Sequence, residues 1–235
     1  MQVELSGQVA LVTGAARGIG KAIADAMAQN GARVVYTDID RVEAENSASA
    51  WPSATAAEMD VTDEHQVRAV TNEVVDQFGR IDILVNNAGV NTLAHRVPID
   101  QFPQEEWDRI VGVDLTGLYI VSKAKLVENY RRLDRSLPAV NLFYAVKTNP
   151  HTGILESLKE LGAGFDVASR GEIMDAVNAG ANPREDLIFA DTVKDPKHIA
   201  HAFGIGLDDF TFDNRSEITQ IARHAPGANV HVRIM

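Results

Sequence analysis

The segment Thr13-Gly14-Ala15-Ala16-Arg17-Gly18-Ile19-Gly20 follows the apolar run Val9–Val12 and opens a helical pattern. That order of residue types has a chemical use. Gly14 permits a tight turn. Gly18 and Gly20 let backbone come close to a pyrophosphate, where a helix N-terminus favours negative charge. Thr13, Arg17 and Ile19 complete the turn. A glycine-rich turn alone is a weak signal, but a second residue supports it. Asp38 closes the next strand-like run, about 20 residues on, where a carboxylate can bind the adenosine ribose hydroxyls. A carboxylate there repels a 2′-phosphate, which favours NAD over NADP. Arg17 is the counter-sign, since a basic residue beside the turn tolerates NADP. The competing reading is a tight strand-to-helix connection that holds no ligand.

The elements that would position these residues alternate β and α. Short apolar runs rich in β-branched residues predict strands at Val9–Val12, Arg33–Asp38, Thr55–Asp60, Asp82–Asn86, Leu142–Lys147, Phe165–Ala168, Leu187–Ala190, Asp209–Asp213 and Val230–Ile234. Helical patterns between them include Gly18–Asn30, Glu64–Phe78, Glu172–Ala179 and Ser216–His224. Gly31, Gly79 and Gly180 are the expected stops. Asp63 and Ser216 are candidate N-caps. Such alternation gives a parallel α/β architecture. The stretch Glu105–Leu137 differs, because its apolar positions step by three and four from Trp107 to Leu137. It predicts one long helix of about 45 Å at 1.5 Å per residue, or two helices meeting near Ser122–Lys125. No Gly/Ser/Pro linker interrupts it.

Composition narrows the partners. The 235 residues allow one large domain or two small ones. A net charge of −11 without a basic stripe argues against nucleic acid and anionic membranes. No cysteine is present, so disulfides and thiolate metal sites are excluded. The N-terminus lacks the pattern of a signal peptide, and no apolar run reaches the roughly 20 residues of a membrane span. These features fit a cytoplasmic protein. His198 and His201 could share a helix face, but with no third ligand at a convincing spacing a solvated face is the simpler reading, and no metal is expected.

The turn Thr13–Gly20, with Asp60-Val61 and Asn86-Asn87-Ala88-Gly89, resembles the short-chain dehydrogenase/reductase family over residues 1–123. The resemblance implies that Asp60 and Val61 line the adenine pocket. It also implies that Asn87, Ala88 and Gly89 support the central strand and the cofactor. The family commonly carries a catalytic Asn in a Val-Asn-Leu context, where this chain has Val113-Asp114-Leu115, so Asp114 is a candidate for that role. The family's Tyr-x-x-x-Lys, in which the Lys lowers the Tyr pKa for acid/base work beside the nicotinamide, has one match in spelling, Tyr119–Lys123. That match falls too soon after Gly89 and on the earlier helix, so it reads as ordinary helix.

From residue 124 the text changes. Phe143-Tyr144-Ala145-Val146-Lys147-Thr148-Asn149 and Gly164-Phe165-Asp166-Val167-Ala168-Ser169-Arg170-Gly171-Glu172 resemble the ornithine/diaminopimelate decarboxylases, barrel enzymes that use pyridoxal phosphate. The resemblance covers residues 124–235. It implies that Lys147 is the Schiff-base lysine at the end of a barrel strand, an amine that attacks an aldehyde when its pKa is lowered. It also places Asp166, Glu172 and Arg233 near the cofactor. The family's ring-stacking His, phosphate loop and pyridine-nitrogen carboxylate have no counterpart in the sequence, so pyridoxal phosphate is not expected to bind.

The expectation is an α/β fold with parallel sheet, a Rossmann-like half (1–123) joined through a long helix to a partial β/α-barrel half (124–235). The halves are either separate or merged in one domain. The leading functional reading is an engineered or recombined chimera without a complete active site, retaining NAD(H) binding at most. The alternatives are an NAD-dependent oxidoreductase acting on an alcohol or polyol, and a pyridoxal-phosphate decarboxylase remnant. A homodimer is compatible with either parent.

Overall fold

The computed structural model describes residues 3–92, 97–191 and 193–233. Each of the nine expected runs contains a strand, and all pair in parallel within two sheets. Of the last run, Asn229–Val232 is strand, while Ile234 lies outside the described residues. Packing divides the chain into units Met1–Asn129 and Tyr130–Met235.

The first unit runs β1 (Val9–Thr13), α1 (Gly18–Gln29), β2 (Arg33–Asp38), α2 (Arg41–Ala48), β3 (Thr55–Glu58), α3 (Glu64–Phe78) and β4 (Ile83–Val85), with sheet order β3-β2-β1-β4. Successive side chains of a strand point to opposite faces, and β1 is buried throughout, so it feeds two cores. Val9 and Leu11 join Val35 and the α3 valines Val67, Val70 and Val74. Ala10 and Val12 join Val34, Tyr36 and the α1 alanines Ala24 and Ala28. Small residues on α1 let the helix lie close to the sheet. Asp63 caps α3 as expected, accepting from the His65 and Gln66 amides, and Gly79 stops it in the left-handed region at φ +78°.

One polar cluster crosses the α1 side. The Asp25 carboxylate accepts from the buried Tyr36 hydroxyl at 2.9 Å, from Trp51 Nε1 at 2.9 Å and from Lys21 Nζ at 2.5 Å. Burial opposes ionisation of Asp25, but the donors Lys21, Trp51 and Tyr36 outweigh it and hold its carboxyl below the usual value.

The predicted long helix is α4 (Gln104–Val111), a π-helical turn (Gly112–Gly117) and α5 (Leu118–Ser136) in unbroken succession. The expected junction near Ser122–Lys125 is corrected, for those residues sit inside regular α5. The irregularity lies earlier, at Gly112–Gly117, where Val61 closes on Gly117 so tightly that a Cβ there would come within 2.6 Å of it.

The second unit runs β5 (Phe143–Ala145), α6 (Thr152–Glu160), β6 (Gly164–Val167), α7 (Arg170–Asn178), α8 (Pro183–Asp186), β7 (Leu187–Phe189), α9 (Pro196–Gly204), β8 (Asp209–Phe212), α10 (Arg215–His224) and β9 (Asn229–Val232). Its strands pair in sequence order, the arrangement of consecutive barrel strands. Phe165, Phe189 and Phe210 are fully buried, with ring centroids of Phe189 and Phe210 5.9 Å apart. The expected N-cap Ser216 is corrected to Asn214, whose side chain accepts from the Glu217 amide at 2.9 Å. The helix starts two residues sooner, because Asn214 is itself a good cap and Arg215 is helical.

A buried ion pair stands beside that cap. Lys194 has no exposed side-chain surface and Glu217 only 6%, with Nζ and Oε1 2.9 Å apart. Lys194 also donates to the carbonyls of Asp191 and, at 2.6 Å, Thr211, and lies over the Phe189 ring. Glu217 accepts from the Asp213 amide. Every polar atom of the pair thus finds a partner, which a buried charge requires. No helix among the described residues is long and apolar enough to cross a membrane.

Candidate functional site

In the first unit the candidate residues converge at the carboxyl ends of β1, β2 and β4. Thr13 ends β1 as a buried hub. Its hydroxyl accepts from the amides of Asn87 and Ala88 at 3.0 and 2.9 Å. Asn87 returns the contact, its amide Nδ2 donating to the carbonyls of Thr13 and Gly14 at 3.0 and 3.1 Å. The glycine turn is therefore latched to the residues after β4. Gly14 sits at φ +63°, and a Cβ on it would meet Ala88 Cα at 2.8 Å. A Cβ on Gly20 would meet the Gly14 carbonyl oxygen at 2.1 Å. Gly18, at φ +61°, faces open space.

Arg17 stands at the N-cap of α1 with no side-chain cap bond, and the first turn holds no acidic residue. The first-turn amides are thus free of a competing anion. Arg17 is exposed, and Ile19 is 75% exposed despite being apolar. Beside this helix end, Asp38 accepts from the Ala16 amide at 3.1 Å through Oδ2 and from the Asp40 amide at 3.1 Å through Oδ1. An ionised carboxylate offers about four acceptor sites, so both oxygens keep capacity for a hydroxyl donor. Asp60 accepts from the amide and hydroxyl of Thr62 at 2.8 and 2.7 Å, shaping the turn before α3, and Val61 is buried.

On the β4 side, Gly89 is exposed and lies against Asp114, whose Oδ1 would be 3.3 Å from a Cβ there. Asp114 Oδ1 accepts from the Val90 amide at 2.8 Å. Asn86 Nδ2 donates to Ser122 Oγ at 3.0 Å, while its Oδ1 is buried with no partner among the described residues. Tyr119 and Lys123 both lie in regular α5, and Lys123 reaches Glu64 at 3.4 Å. Ser47 escaped the sequence reading. It is buried on α2 and donates to the Ala16 carbonyl at 2.7 Å, anchoring the turn from behind. A serine in a helix gives no local signal of such a distant partner.

In the second unit β5 ends at Ala145, and Lys147 stands exposed in the single 3-10 turn Val146–Thr148 that follows. Asp166 at the end of β6 feels several neighbours. Burial pushes its carboxyl up, Lys147 pulls it down, Glu172 pushes it up, and the Ala190 amide and Arg233 pull it down. Lys147, Asp166, Glu172 and Arg233 are thus gathered at one rim. Glu172, however, is engaged in a capping box, accepting from the Ala168 amide at 3.0 Å and the Ser169 hydroxyl at 3.2 Å, while Ser169 Oγ accepts from the Glu172 amide. The starts of α7, α9 and α10 are likewise closed by Ser169, Asp195 and Asn214. Lys194 and Glu217 were also missed from sequence. The available signal was a second Asn/Ser-x-x-Glu box, Asn214 to Glu217, matching Ser169 to Glu172. His198 and His201 both lie on α9, and no group of three or more residues suited to a metal occurs among the described residues.

A parallel sheet with a latched glycine turn, an open helix N-terminus and an acidic residue ending β2 is a Rossmann-type dinucleotide fold. Residues 8–132 match the short chain dehydrogenase family, more than half of the sequence, and the chain belongs to that family. Residues 123–235 match the pyridoxal binding domain of pyridoxal-dependent decarboxylases, so the chain is a two-part chimera. Galactitol 2-dehydrogenase of Agrobacterium fabrum is 45% identical over 123 residues, covering 52% of this chain and 47% of that protein. Lysine/ornithine decarboxylase of Selenomonas ruminantium is 38% identical over 145 residues, covering 62% of this chain and 32% of that protein. The chain thus spans about half the length of the dehydrogenase, 47%, and a third of the decarboxylase, 32%. Among solved structures, 3-ketoacyl-(acyl-carrier-protein) reductase from Brucella melitensis complexed with NADH is 29% identical, with a TM-score of 0.52 over 70% of this chain and 74% of that one.

Proposed function

We propose that the first unit is an NAD(H)-binding module within a recombined protein that lacks the dehydrogenase acid/base couple. The observation that carries this is the uncapped start of α1, where Gly18 meets open space beside the Asp38 carboxylate. Free amides at a helix N-terminus suit a pyrophosphate, and Asp38 suits the ribose hydroxyls. Thr13, Gly14, Gly20 and Asn87 hold the turn, Arg17 and Ile19 flank it, and Asp60 and Val61 stand on the adenine side. Bound NAD would supply a hydride acceptor. Past α5 the sequence follows the decarboxylase pattern in place of the dehydrogenase Ser and Tyr-x-x-x-Lys, and Tyr119–Lys123 does not substitute. The reading of a dehydrogenase acting on a polyol, as galactitol 2-dehydrogenase is named to do, lacks that couple.

For the second unit the residues fit amine chemistry but not the whole cofactor. Lys147 is exposed just past the end of β5; burial pushes the Asp166 carboxyl up, and the Lys147 charge pulls it down. The starts of α7, α9 and α10 are closed by their caps, so of the longer helices there only α6, which follows Lys147, offers a phosphate an uncapped end among the described residues. Charge and composition support neither nucleic-acid nor membrane partners, and the reading is compatible with a cytoplasmic homodimer.

The test is a titration with NADH followed by nicotinamide fluorescence, with Gly14→Val and Asp38→Ala as controls. Saturable binding that both substitutions weaken is the expected result. A folded protein that binds no NADH overturns the reading.

A further inference from the structure

The sheet order β3-β2-β1-β4 reverses direction at β1, so the crevice for a dinucleotide opens between the carboxyl ends of β1 and β4. Asp38 and Asp60, at the ends of β2 and β3, occupy the side for adenosine. The pyrophosphate belongs at the start of α1, beside β1. A dinucleotide laid across the crevice must then carry its nicotinamide to the β4 side, where Gly89, Val90 and Asp114 meet. Gly89 is exposed and Asp114 lies directly on it, both carboxylate oxygens within 3.7 Å of where a Cβ would stand. Asp114 is exposed, accepts the Val90 amide, and pairs with no cation among the described residues. The nearby Arg109 is already taken by Glu106 and the Asn91 carbonyl.

We propose that Asp114 selects the oxidation state of the bound nucleotide, favouring NAD+ over NADH. This inference rests on the NAD(H) reading of the first unit. The nicotinamide ring carries a positive charge when oxidised and none when reduced, while the rest of the molecule is unchanged. A carboxylate on that side of the crevice attracts one form and is indifferent to the other. The Val90 amide fixes the carboxylate in place, so the preference is built into the backbone geometry. The expected size is on the order of threefold, that of one exposed charge pair.

The experiment measures Kd for NAD+ and NADH calorimetrically in the wild-type chain, Asp114→Asn and Asp114→Ser. Both substitutions remove the charge, and Asn keeps an acceptor for the Val90 amide. The ratio Kd(NADH)/Kd(NAD+) should fall about threefold in both variants at about 0.01 M salt, where the Debye length is about 30 Å. The difference should shrink at about 1 M, where that length is about 3 Å. Equal changes in both affinities, or none, overturn the proposal while leaving NAD(H) binding standing. Failure of the wild-type chain to bind either nucleotide removes the NAD(H) reading and this inference together.

Discussion

Gly20 has no space for a side chain, because a Cβ would lie 2.1 Å from the Gly14 carbonyl oxygen. Gly20→Ala must therefore open the turn. We expect a loss of about 1–3 kcal/mol in urea unfolding, the usual cost of overpacking, together with weaker NADH binding in the fluorescence titration. Asp25 gives a prediction in pH. Its folded-state pKa lies below the ordinary 3.8, so its stabilising contribution is complete above that value and is lost as pH falls through the lower folded value. Asp25→Asn should be less stable than wild type at pH 7, yet lose stability less steeply below about pH 4. Acid unfolding followed by circular dichroism at a series of urea concentrations checks both parts. At this scale the turn glycines and Asp38 were legible, because turn chemistry is local. What Asn87 and Asp114 hold was not, since Asn87 bonds 74 residues away and Asp114 24 residues away.

The βα junctions of the second unit are fixed by their caps and by Lys194. Lys194→Met would leave Glu217 buried without its cation, and the cost of breaking such a pair is about 3–5 kcal/mol. The double variant Lys194→Met/Glu217→Leu should recover much of that loss, since neither charge remains to be solvated. Chemical denaturation of the single and double variants measures the difference. A double variant no better than the single would show that the carbonyl contacts of Lys194, to Asp191 and Thr211, carry the junction. Strands and most helices were legible from periodicity and stop signals. The π turn was not, because a stripe read in steps of three and four absorbs an irregular turn without a visible break. The α10 start was misplaced because Asn214 and Ser216 both suit a cap, and only the bond from the Glu217 amide decides between them.

Alternation of β and α was enough to give the fold class of the molecule, and one change of motif, near residue 124, was enough to show two parents. Whether the strands form one sheet or two was not legible, because parallel pairing is set by crossovers and not by the strands themselves. The two sheets leave β3 and β4, and β5 and β9, as their outer strands. All four residues of β9 are exposed. Such edges invite pairing with other chains unless charge keeps molecules apart. The charge of −11 provides that repulsion near pH 7 and vanishes near the pI of about 5.0. Light scattering should therefore rise as pH approaches 5 and fall again toward pH 8. Equal scattering at both would show that the edges are covered by something other than charge.

The π turn at Gly112–Gly117 has a consequence for chain length. A π turn accommodates an extra residue within a helix. Deleting Thr116 would let the segment close as ordinary α-helix with the parts on either side still in phase, because the wide turn has already absorbed the spare residue. Regular α5 has no such relief. One residue fewer there would turn the part before it, Asp114 included, by about 100° relative to the part after it, and Asp114 would leave the Val90 amide. A single-codon deletion in α5 would therefore change the charge presented at the crevice, and one in the π turn would not, while both leave every residue of the glycine turn, and Asp38, untouched.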